Sequence, residues 1–199
     1  RQVANRIVQA LETHPGDALA FLPGAGEIRR VTATLQAILS TDRFVVLPLY
    51  GDLPAAAQDA ALQPDAQGRR KVIVATNLAE TSLTIDGVRI VVDAGLERRQ
   101  RFDPATGMGR LETLRISRAS ADQRRGRAGR TAPGVCYRLW SESAHAALLP
   151  QAPAEILEAD LAPLALELAC WGATGPTDLG WLDPPPAATL AQARDLLIG

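Results

Sequence analysis

Lys71-Val-Ile-Val-Ala-Thr-Asn77 joins a short apolar run to two small polar residues, and this pattern decides the fold class. Continuous aliphatic residues without polar residues between them are typical of a strand that is buried on both faces. Three further runs of this kind lie at residues 18–22, 44–49 and 89–92. Helical patterns separate them, so we expect an α/β fold, with a parallel sheet flanked by helices and right-handed crossovers between the strands.

The remaining elements follow from spacing and from turn residues. Residues 99–117 lack a helical period and contain the turn sequence Asp103-Pro-Ala-Thr-Gly107, which favours a β-hairpin or an extended excursion. A last strand is expected at residues 135–140. The expected helices are residues 2–13, 25–39 and 54–62, an arginine-rich helix at about 120–130, and three more at about 142–148, 155–171 and 187–198.

Length and composition are those of an ordinary globular protein. The chain has 199 residues, 47% of them apolar, and a net charge of −1, which suits one large domain with an appendage. After residue 141 the pattern changes to helices only. We therefore predict one domain over residues 1–150 and a short helical C-terminal appendage over residues 151–199. The arginine at the start and the apolar pattern at the end suggest a piece of a longer polypeptide, with the appendage as the start of a truncated second domain.

The cysteines indicate a compartment and argue against a metal centre. Cys136 and Cys170 lie in apolar stretches, without Cys or His at metal-ligand spacing. We interpret them as buried thiols in a reducing compartment, and we expect no metal site and no disulfide. The sequence contains neither a signal peptide nor an apolar run of 18 residues, so we expect a cytoplasmic protein with no membrane partner.

Charge is concentrated in one part of the chain, which ends in Ser120-Ala-Asp-Gln-Arg-Arg-Gly-Arg-Ala-Gly-Arg130. On a helix, Gln123, Arg127 and Arg130 share one stripe because they are spaced i, i+4 and i+7. Two guanidinium groups and an amide on one face form a clamp for phosphate oxygens. The alternatives are a solvated basic face and a capping box from Ser120 to Gln123, which would give the glutamine a structural role.

Small residues follow the predicted strands at the points where they end. Gly24, Gly51 and the pair Thr76-Asn77 each come directly after an apolar run. The carboxyl ends of parallel strands lie at one edge of a sheet, where open sheets bind ligands. Accessible backbone N–H groups there would suit a nucleic-acid backbone. Alternatively, each glycine only makes its turn, and Asn77 to Glu80 is a capping box.

Two nucleotide-binding patterns are missing from the sequence. Gly24-Ala-Gly26 has Arg29 at the third glycine position of a dinucleotide fingerprint, which argues against a Rossmann-type enzyme. The single lysine, Lys71, does not lie in a Gly-Lys-Ser/Thr loop, and no Asp-Glu pair is present to hold magnesium. The chain therefore has residues to bind phosphates but not to hold Mg·ATP by itself.

Several stretches together resemble the second RecA-like domain of the DEAH-box (DExH) superfamily 2 helicases. The resemblance runs from about residue 5 to residue 140, with the motifs in the family's order and spacing. The stretch similar to motif IV is Leu19-Ala-Phe-Leu-Pro-Gly-Ala-Gly-Glu-Ile28, and the one similar to the short motif after it is Leu49-Tyr-Gly51. The stretch similar to motif V is Ala75-Thr-Asn-Leu-Ala-Glu-Thr-Ser-Leu-Thr-Ile85, and the one similar to motif VI is Gln123-Arg-Arg-Gly-Arg-Ala-Gly-Arg130. Those that look most like the bacterial HrpB type are Val91-Val-Asp-Ala-Gly-Leu-Glu97, Arg101-Phe-Asp-Pro104 and Trp181-Leu-Asp-Pro-Pro-Pro186.

The resemblance implies a nucleotide site shared between two domains. Arg127 and Arg130 would be arginine fingers that reach the γ-phosphate of ATP, and Gln123 would contact that phosphate or the attacking water. Thr84 and Asp86 would face the nucleotide and couple it to the nucleic-acid site. ATP with Mg²⁺ would be held mainly by the first RecA-like domain of the same polypeptide, so this chain alone is expected to be an inactive part of an NTP hydrolase.

The resemblance also implies a single-stranded RNA or DNA partner, held through its backbone by Gly24, Thr76 and Asn77. Residues 99–117 would include a strand-separating hairpin, and residues from about 155 onward would begin a winged-helix domain. Leu62 stands where many members stack adenine on phenylalanine, which implies a loose nucleotide preference. The alternative function is a non-catalytic nucleic-acid-binding module that keeps the helicase fold.

Overall fold

The structure is a computed structural model that describes residues 1–80, 85–103, 106–130, 132–173 and 179–198. It divides into two compact units, here called the first unit (Arg1–Arg98 and Thr113–Ala152) and the second unit (Arg99–Glu112 and Pro153–Gly199). The strands are β1 (Asp17–Phe21), β2 (Phe44–Leu49), β3 (Arg70–Ala75), β4 (Val88–Asp93), β5 (Leu96–Asp103), β6 (Met108–Arg115) and β7 (Val135–Arg138). The helices are α1 (Gln2–Thr13), α2 (Ala25–Ile38), α3 (Ala55–Leu62), α4 (Arg118–Arg125), α5 (Glu142–Ala146), α6 (Ala162–Cys170) and α7 (Ala187–Ile198).

Five strands of the first unit form one parallel sheet in the order β2-β3-β1-β4-β7. The register pairs Ala18 of β1 with Val72 of β3 on one side and with Ile90 of β4 on the other. The predicted α/β fold with a helix-flanked parallel sheet is therefore confirmed. Strands β5 and β6 pair separately as a two-stranded sheet, and only four residues separate them, as in a hairpin.

The sheet is buried on both faces, which explains why its strands are continuously apolar. Along β3, Val72 and Val74 belong to the core cluster on one face, and Ile73 and Ala75 to the cluster on the other. Helices α1 and α2 cover the first of these faces, with Ile7, Ile28 and Leu35 fully buried there. Burying each such side chain contributes roughly 1.5–3 kcal/mol.

The only lysine of the sequence, Lys71, is buried, and its side chain binds the C-terminal end of α3. Its Nζ donates to the main-chain carbonyls of Ala61, Leu62 and Gln63, at 3.2, 3.4 and 2.8 Å. A cation is favourable at a helix C-terminus, where carbonyl groups have no partner within the helix. Burial lowers the pKa of Lys71, and the nearby carboxylate of Asp17 opposes that effect.

The second unit is held by its own small core and by ion pairs. Leu161 and Ala165 pack against Leu190 and Ala193 of α7. Within this unit, the end of the β5–β6 hairpin is bound by Glu158, whose carboxylate pairs with Arg99 at 3.3 Å and with Arg101 at 3.2 Å. The prediction that residues 151–199 begin a winged-helix domain stays a prediction.

The structure corrects two expectations in this region. The helix expected at about 155–171 is a 3-10 turn (Glu155–Leu157) followed by α6, because Pro163 occupies the first turn of α6 and Asp160 accepts a hydrogen bond from the Ala162 N–H at 2.9 Å. Both cysteines are free, but Cys136 is half-buried and Cys170 is exposed, so the interpretation of both as buried thiols is wrong. Burial raises the pKa of Cys136 to about 11. Of the helices in the described residues, none has the length and apolar character needed to cross a membrane.

Candidate functional site

The arginine-rich segment is a helix that tightens into a 3-10 turn. Ser117 caps α4, because its Oγ accepts from the Ser120 N–H at 3.1 Å. The helix ends at Arg125, and a 3-10 turn follows over Gly126–Gly129. The capping box considered for Ser120 and Gln123 is therefore wrong, because the helix begins two residues earlier, at Arg118.

Gln123, Arg127 and Arg130 line one shallow depression together with Gly126. The depression has a volume of about 340 Å³ and lies on the first unit. Gln123 and Arg130 are exposed, whereas Arg127 is 8% exposed. Within the described part of the chain nothing comes within 4 Å of a Cβ added to Gly126. Packing inside the chain therefore does not require glycine at this position.

Arg127 is fixed at the wall of this depression. Its Nη2 donates to the main-chain carbonyl of Glu80. Burial lowers the pKa of Arg127, and the neighbouring cation of Arg130 lowers it further. An arginine remains protonated in proteins even so. The depression therefore concentrates positive charge with planar donors, an arrangement that suits phosphate oxygens.

Arg124, three residues before Arg127, has a different environment. It is 1% exposed, and its Nε donates to Glu80 Oε2 at 2.9 Å. Its Nη1 donates to Asp93 Oδ1 at 3.0 Å and to the Leu96 carbonyl at 3.3 Å. Its guanidinium carbon lies 4.9 Å from the centre of the Phe21 ring. This arrangement fixes α4 to the carboxyl ends of β1 and β4.

The carboxylates around Arg124 are part of the fold. Asp93 is fully buried, and its Oδ1 also accepts from the Gly95 N–H at 2.8 Å. Burial raises the pKa of Asp93, while Arg124 opposes that effect. Glu80 Oε2 accepts a second hydrogen bond from Ser120 Oγ at 2.7 Å. We refer to Glu80, Asp93, Ser120 and Arg124 as the Arg124 network.

Gly24, Thr76 and Asn77 follow the carboxyl ends of β1 and β3, which are neighbours in the sheet. Gly24 is buried at the start of α2, and Thr76 follows β3 and donates its N–H to the Leu49 carbonyl at 3.1 Å. Thr76 Oγ accepts from the Leu78 N–H at 3.4 Å, so Thr76 caps the 3-10 turn Asn77–Ala79. Asn77 is exposed. The capping box considered from Asn77 to Glu80 is wrong, since Thr76 is the cap and the carboxylate of Glu80 bonds to α4.

An arginine that spacing did not indicate lies over Gly24. A Cβ added to Gly24 would lie 2.7 Å from Arg98 Nη1, so the absence of a side chain lets this guanidinium approach the backbone. Arg98 Nη2 also pairs with Glu27 Oε2 at 3.3 Å, and both side chains are partly exposed. Sequence reasoning missed Arg98, although its place soon after the β4 run was a usable signal.

Thr84 and Asp86 are predicted to couple the nucleotide to the nucleic-acid site. Thr84 lies outside the described residues. Asp86 is exposed in the turn before β4, at the amino edge of the sheet, opposite the edge that carries Thr76. The 3-10 turn after α4 approaches the same edge, because a Cβ on Gly134 would clash with the Ala128 carbonyl and lie 2.6 Å from that of Arg89.

The donor set is suited to anions and not to metal ions. In the ranges that the structure describes, no group of three or more His, Cys, Asp and Glu side chains could hold a metal ion. The depression is lined by two guanidinium groups, one side-chain amide and the backbone of a glycine turn. Guanidinium and amide N–H groups are suitable donors to phosphate oxygens.

Comparisons with known proteins agree with this geometry. Residues 2–132 match the family of the helicase conserved C-terminal domain. The chain is 46% identical over 195 residues to the ATP-dependent RNA helicase HrpB of Escherichia coli (strain K12), covering 98% of this chain and 24% of that protein. It is 43% identical over 194 residues to the probable ATP-dependent RNA helicase DHX34 of Mus musculus, covering 94% of this chain and 17% of that protein. The crystal structure of the Escherichia coli DEAH/RHA helicase HrpB superposes with a TM-score of 0.91 at 46% identity, covering 98% of this chain and 25% of that one.

These matches and the parallel sheet define the class of protein as a RecA-like helicase domain. The chain belongs to the helicase conserved C-terminal domain family, as the C-terminal RecA-like domain of a DEAH-box helicase. The resemblance drawn from the motifs is thereby confirmed. The chain spans about a quarter or less of the length of these relatives.

Proposed function

We propose that this domain is the C-terminal motor half of an ATP-dependent helicase that acts on RNA. The relatives are named ATP-dependent RNA helicases, and the domain belongs to their family. The observation that carries the proposal is the depression in which Gln123, Arg127 and Arg130 surround a glycine turn. An active enzyme would need the first RecA-like domain of the same polypeptide, because this sequence has no Gly-Lys-Ser/Thr loop.

On the nucleotide side, Arg127 and Arg130 act as arginine fingers. Their guanidinium groups face the terminal phosphate of ATP held on the other domain and stabilise the negative charge of the transition state, a contribution of roughly 10³-fold or more in rate. The Mg²⁺ that would neutralise these phosphates would be held by that other domain. Gln123 orients the terminal phosphate or the attacking water. Thr84 and Asp86 couple the nucleotide to the nucleic-acid site.

On the nucleic-acid side, Gly24, Thr76 and Asn77 contact the backbone of a single strand. Thr76 and Asn77 offer a hydroxyl and an amide, and Gly24 lies at the same edge beneath the guanidinium of Arg98, so these contacts carry no base sequence. Two-state closing of the cleft between the domains would move these contacts along the strand. Single-stranded DNA is the alternative substrate, and the experiment below compares it with RNA.

Three further predictions concern the β5–β6 hairpin, the C-terminal helices and Leu62. The β5–β6 hairpin would separate strands, and the helices from residue 155 onward would begin a winged-helix domain. Leu62 in place of an aromatic residue would make nucleotide preference loose, since stacking on a base is lost. We place the protein in the cytoplasm. The non-catalytic module is not favoured, because the relatives are named as ATP-dependent enzymes.

The test is ATP hydrolysis by the full-length polypeptide with single-stranded RNA, with single-stranded DNA and without a strand. We expect RNA to stimulate hydrolysis, and Arg130→Ala to reduce the stimulated rate by roughly 10³-fold while ATP still binds. Arg125→Ala is the matched control, because Arg125 is an exposed arginine of the same basic segment that does not line the depression. Its rate should stay that of the wild type.

Three results would contradict parts of the proposal. Equal rates for Arg130→Ala and Arg125→Ala would reduce Arg130 to an ordinary surface arginine. Turnover by the isolated 199-residue chain would exclude a site shared between two domains. Strand binding should also weaken with added salt, because phosphate contacts release counterions, and a flat response would argue against contact with the backbone.

A further inference from the structure

Glu80 contacts the arginine-rich segment in two ways. Its carboxylate accepts from Arg124 Nε at 2.9 Å and from Ser120 Oγ at 2.7 Å. Its main-chain carbonyl accepts from Arg127 Nη2. One residue is thus bonded both to the buried arginine that anchors α4 and to an arginine that lines the depression.

Glu80 is also the last residue of the turn that begins at the carboxyl edge of the sheet. Its N–H donates to the Asn77 carbonyl at 2.9 Å, and the Ala79 N–H donates to the Thr76 carbonyl at 3.3 Å. Residues 76–80 are therefore a single hydrogen-bonded turn. These hydrogen bonds tie the position of the Glu80 peptide to that of Asn77.

The other end of this connection is held firmly. Arg124 is bonded to Asp93 Oδ1 and to the Leu96 carbonyl as well as to Glu80, so α4 is fixed to the carboxyl end of β4. Because α4 is fixed in this way, a displaced Glu80 carbonyl changes the direction of the Arg127 side chain and leaves the helix in place. The carboxylate keeps its two bonds to Arg124 and Ser120, which limits how far the turn can move.

We propose that Glu80 is the positioning residue that transmits strand binding at Thr76 and Asn77 to the guanidinium of Arg127. The inference rests on the function proposed above. It gives Glu80 no contact with nucleotide or strand. Its carboxylate sets where the turn sits, and its carbonyl sets where Arg127 points.

The experiment measures kcat for ATP hydrolysis by the full-length polypeptide with and without single-stranded RNA, together with RNA affinity. Glu80→Gln keeps the shape of the side chain and removes its charge. We expect the ratio of stimulated to unstimulated rates to fall roughly 5-fold or more, within the usual range of coupling between sites, and RNA affinity to change less than this ratio. Asp65→Asn is the control, because it removes another 2.9 Å ion pair, with Arg69, that touches neither α4 nor the turn.

The outcomes separate this inference from a structural role. Glu80→Asp keeps the charge and should restore part of the ratio, and Ser120→Ala, which removes one hydrogen bond, should lower it slightly if Glu80→Gln does not fold. An unchanged ratio in Glu80→Gln, or an equal fall of both rates with a lower melting temperature, would overturn the inference. A wild-type enzyme that RNA does not stimulate would overturn the proposed function as well, whereas a stimulated wild type with an unaffected Glu80→Gln would overturn only the coupling.

Discussion

Arg124 and Arg127 are three residues apart in one basic segment and both are buried, yet they have different partners. Arg124 is 1% exposed and donates to the carboxylates of Glu80 and Asp93. Arg127 lies at the wall of a depression with the exposed Arg130 and donates to a main-chain carbonyl. The difference shows that the two halves of the segment have different surroundings: the first half anchors the helix, and the second half lines the depression.

The largest effect should come from removing the anchor. Arg124→Ala leaves Asp93 buried without its cation, and breaking a buried ion pair on one side typically costs about 3–5 kcal/mol. We expect urea unfolding of the chain to show a loss of this size, while Arg125→Ala changes stability by less than about 0.5 kcal/mol. Similar unfolding curves for the two variants would remove the distinction between the halves.

A second change tests the charge balance of the anchor. Burial raises the pKa of Asp93, so the folded protein holds its proton to higher pH than the unfolded chain. The stability that this difference contributes is present below the unfolded pKa and is lost as pH rises through the folded pKa. Asp93→Asn should abolish this part of the pH dependence, measured as the urea midpoint from pH 4 upward. An identical slope in both proteins would contradict the assignment.

The third change compares the second half of the segment with the first. Arg127→Ala removes the hydrogen bond to the Glu80 carbonyl, and a hydrogen bond that involves a charged group is worth about 1.5–3 kcal/mol. We therefore expect a smaller loss of unfolding free energy than for Arg124→Ala, measured in the same urea series. A loss equal to that of Arg124→Ala would mean that Arg127 also serves mainly as an anchor.

The smallest effect should come from an ion pair outside both halves. Arg69 lowers the pKa of Asp65 to about 2, so this pair contributes stability above the unfolded pKa of Asp65 and loses it as pH falls towards about 2. Asp65→Asn should flatten the acid limb of the stability curve, as followed by acid unfolding monitored by circular dichroism. An unchanged acid limb would show that this pair does not contribute.

The sheet could be predicted from sequence because its signal is local. Continuous aliphatic runs followed by small residues gave the strands of the parallel sheet and the edge at which Gly24 and Thr76 meet. The Arg124 network could not be predicted, since its carboxylates lie 44 and 31 residues away along the chain. An arginine that lies off the expected stripe looks like a surface residue until the fold supplies those partners.

The start of the arginine-rich helix was also missed for a local reason. Ser117 and Ser120 are both good N-cap residues, and spacing alone favoured Ser120 because Gln123 follows it by three positions. In the fold, Ser120 Oγ bonds instead to Glu80 Oε2. Tertiary contact therefore decided between two caps that propensity could not separate.

The central claim is that the second half of the arginine-rich segment binds a phosphate group held on another domain. Its most direct test is single-turnover ATP hydrolysis by the full-length polypeptide at saturating ATP and single-stranded RNA, with Arg127→Ala compared with Arg125→Ala. We predict a fall of roughly 10³-fold in the rate constant for Arg127→Ala, with nucleotide binding retained, and a wild-type rate constant for Arg125→Ala. Equal rate constants for the two variants would contradict the claim.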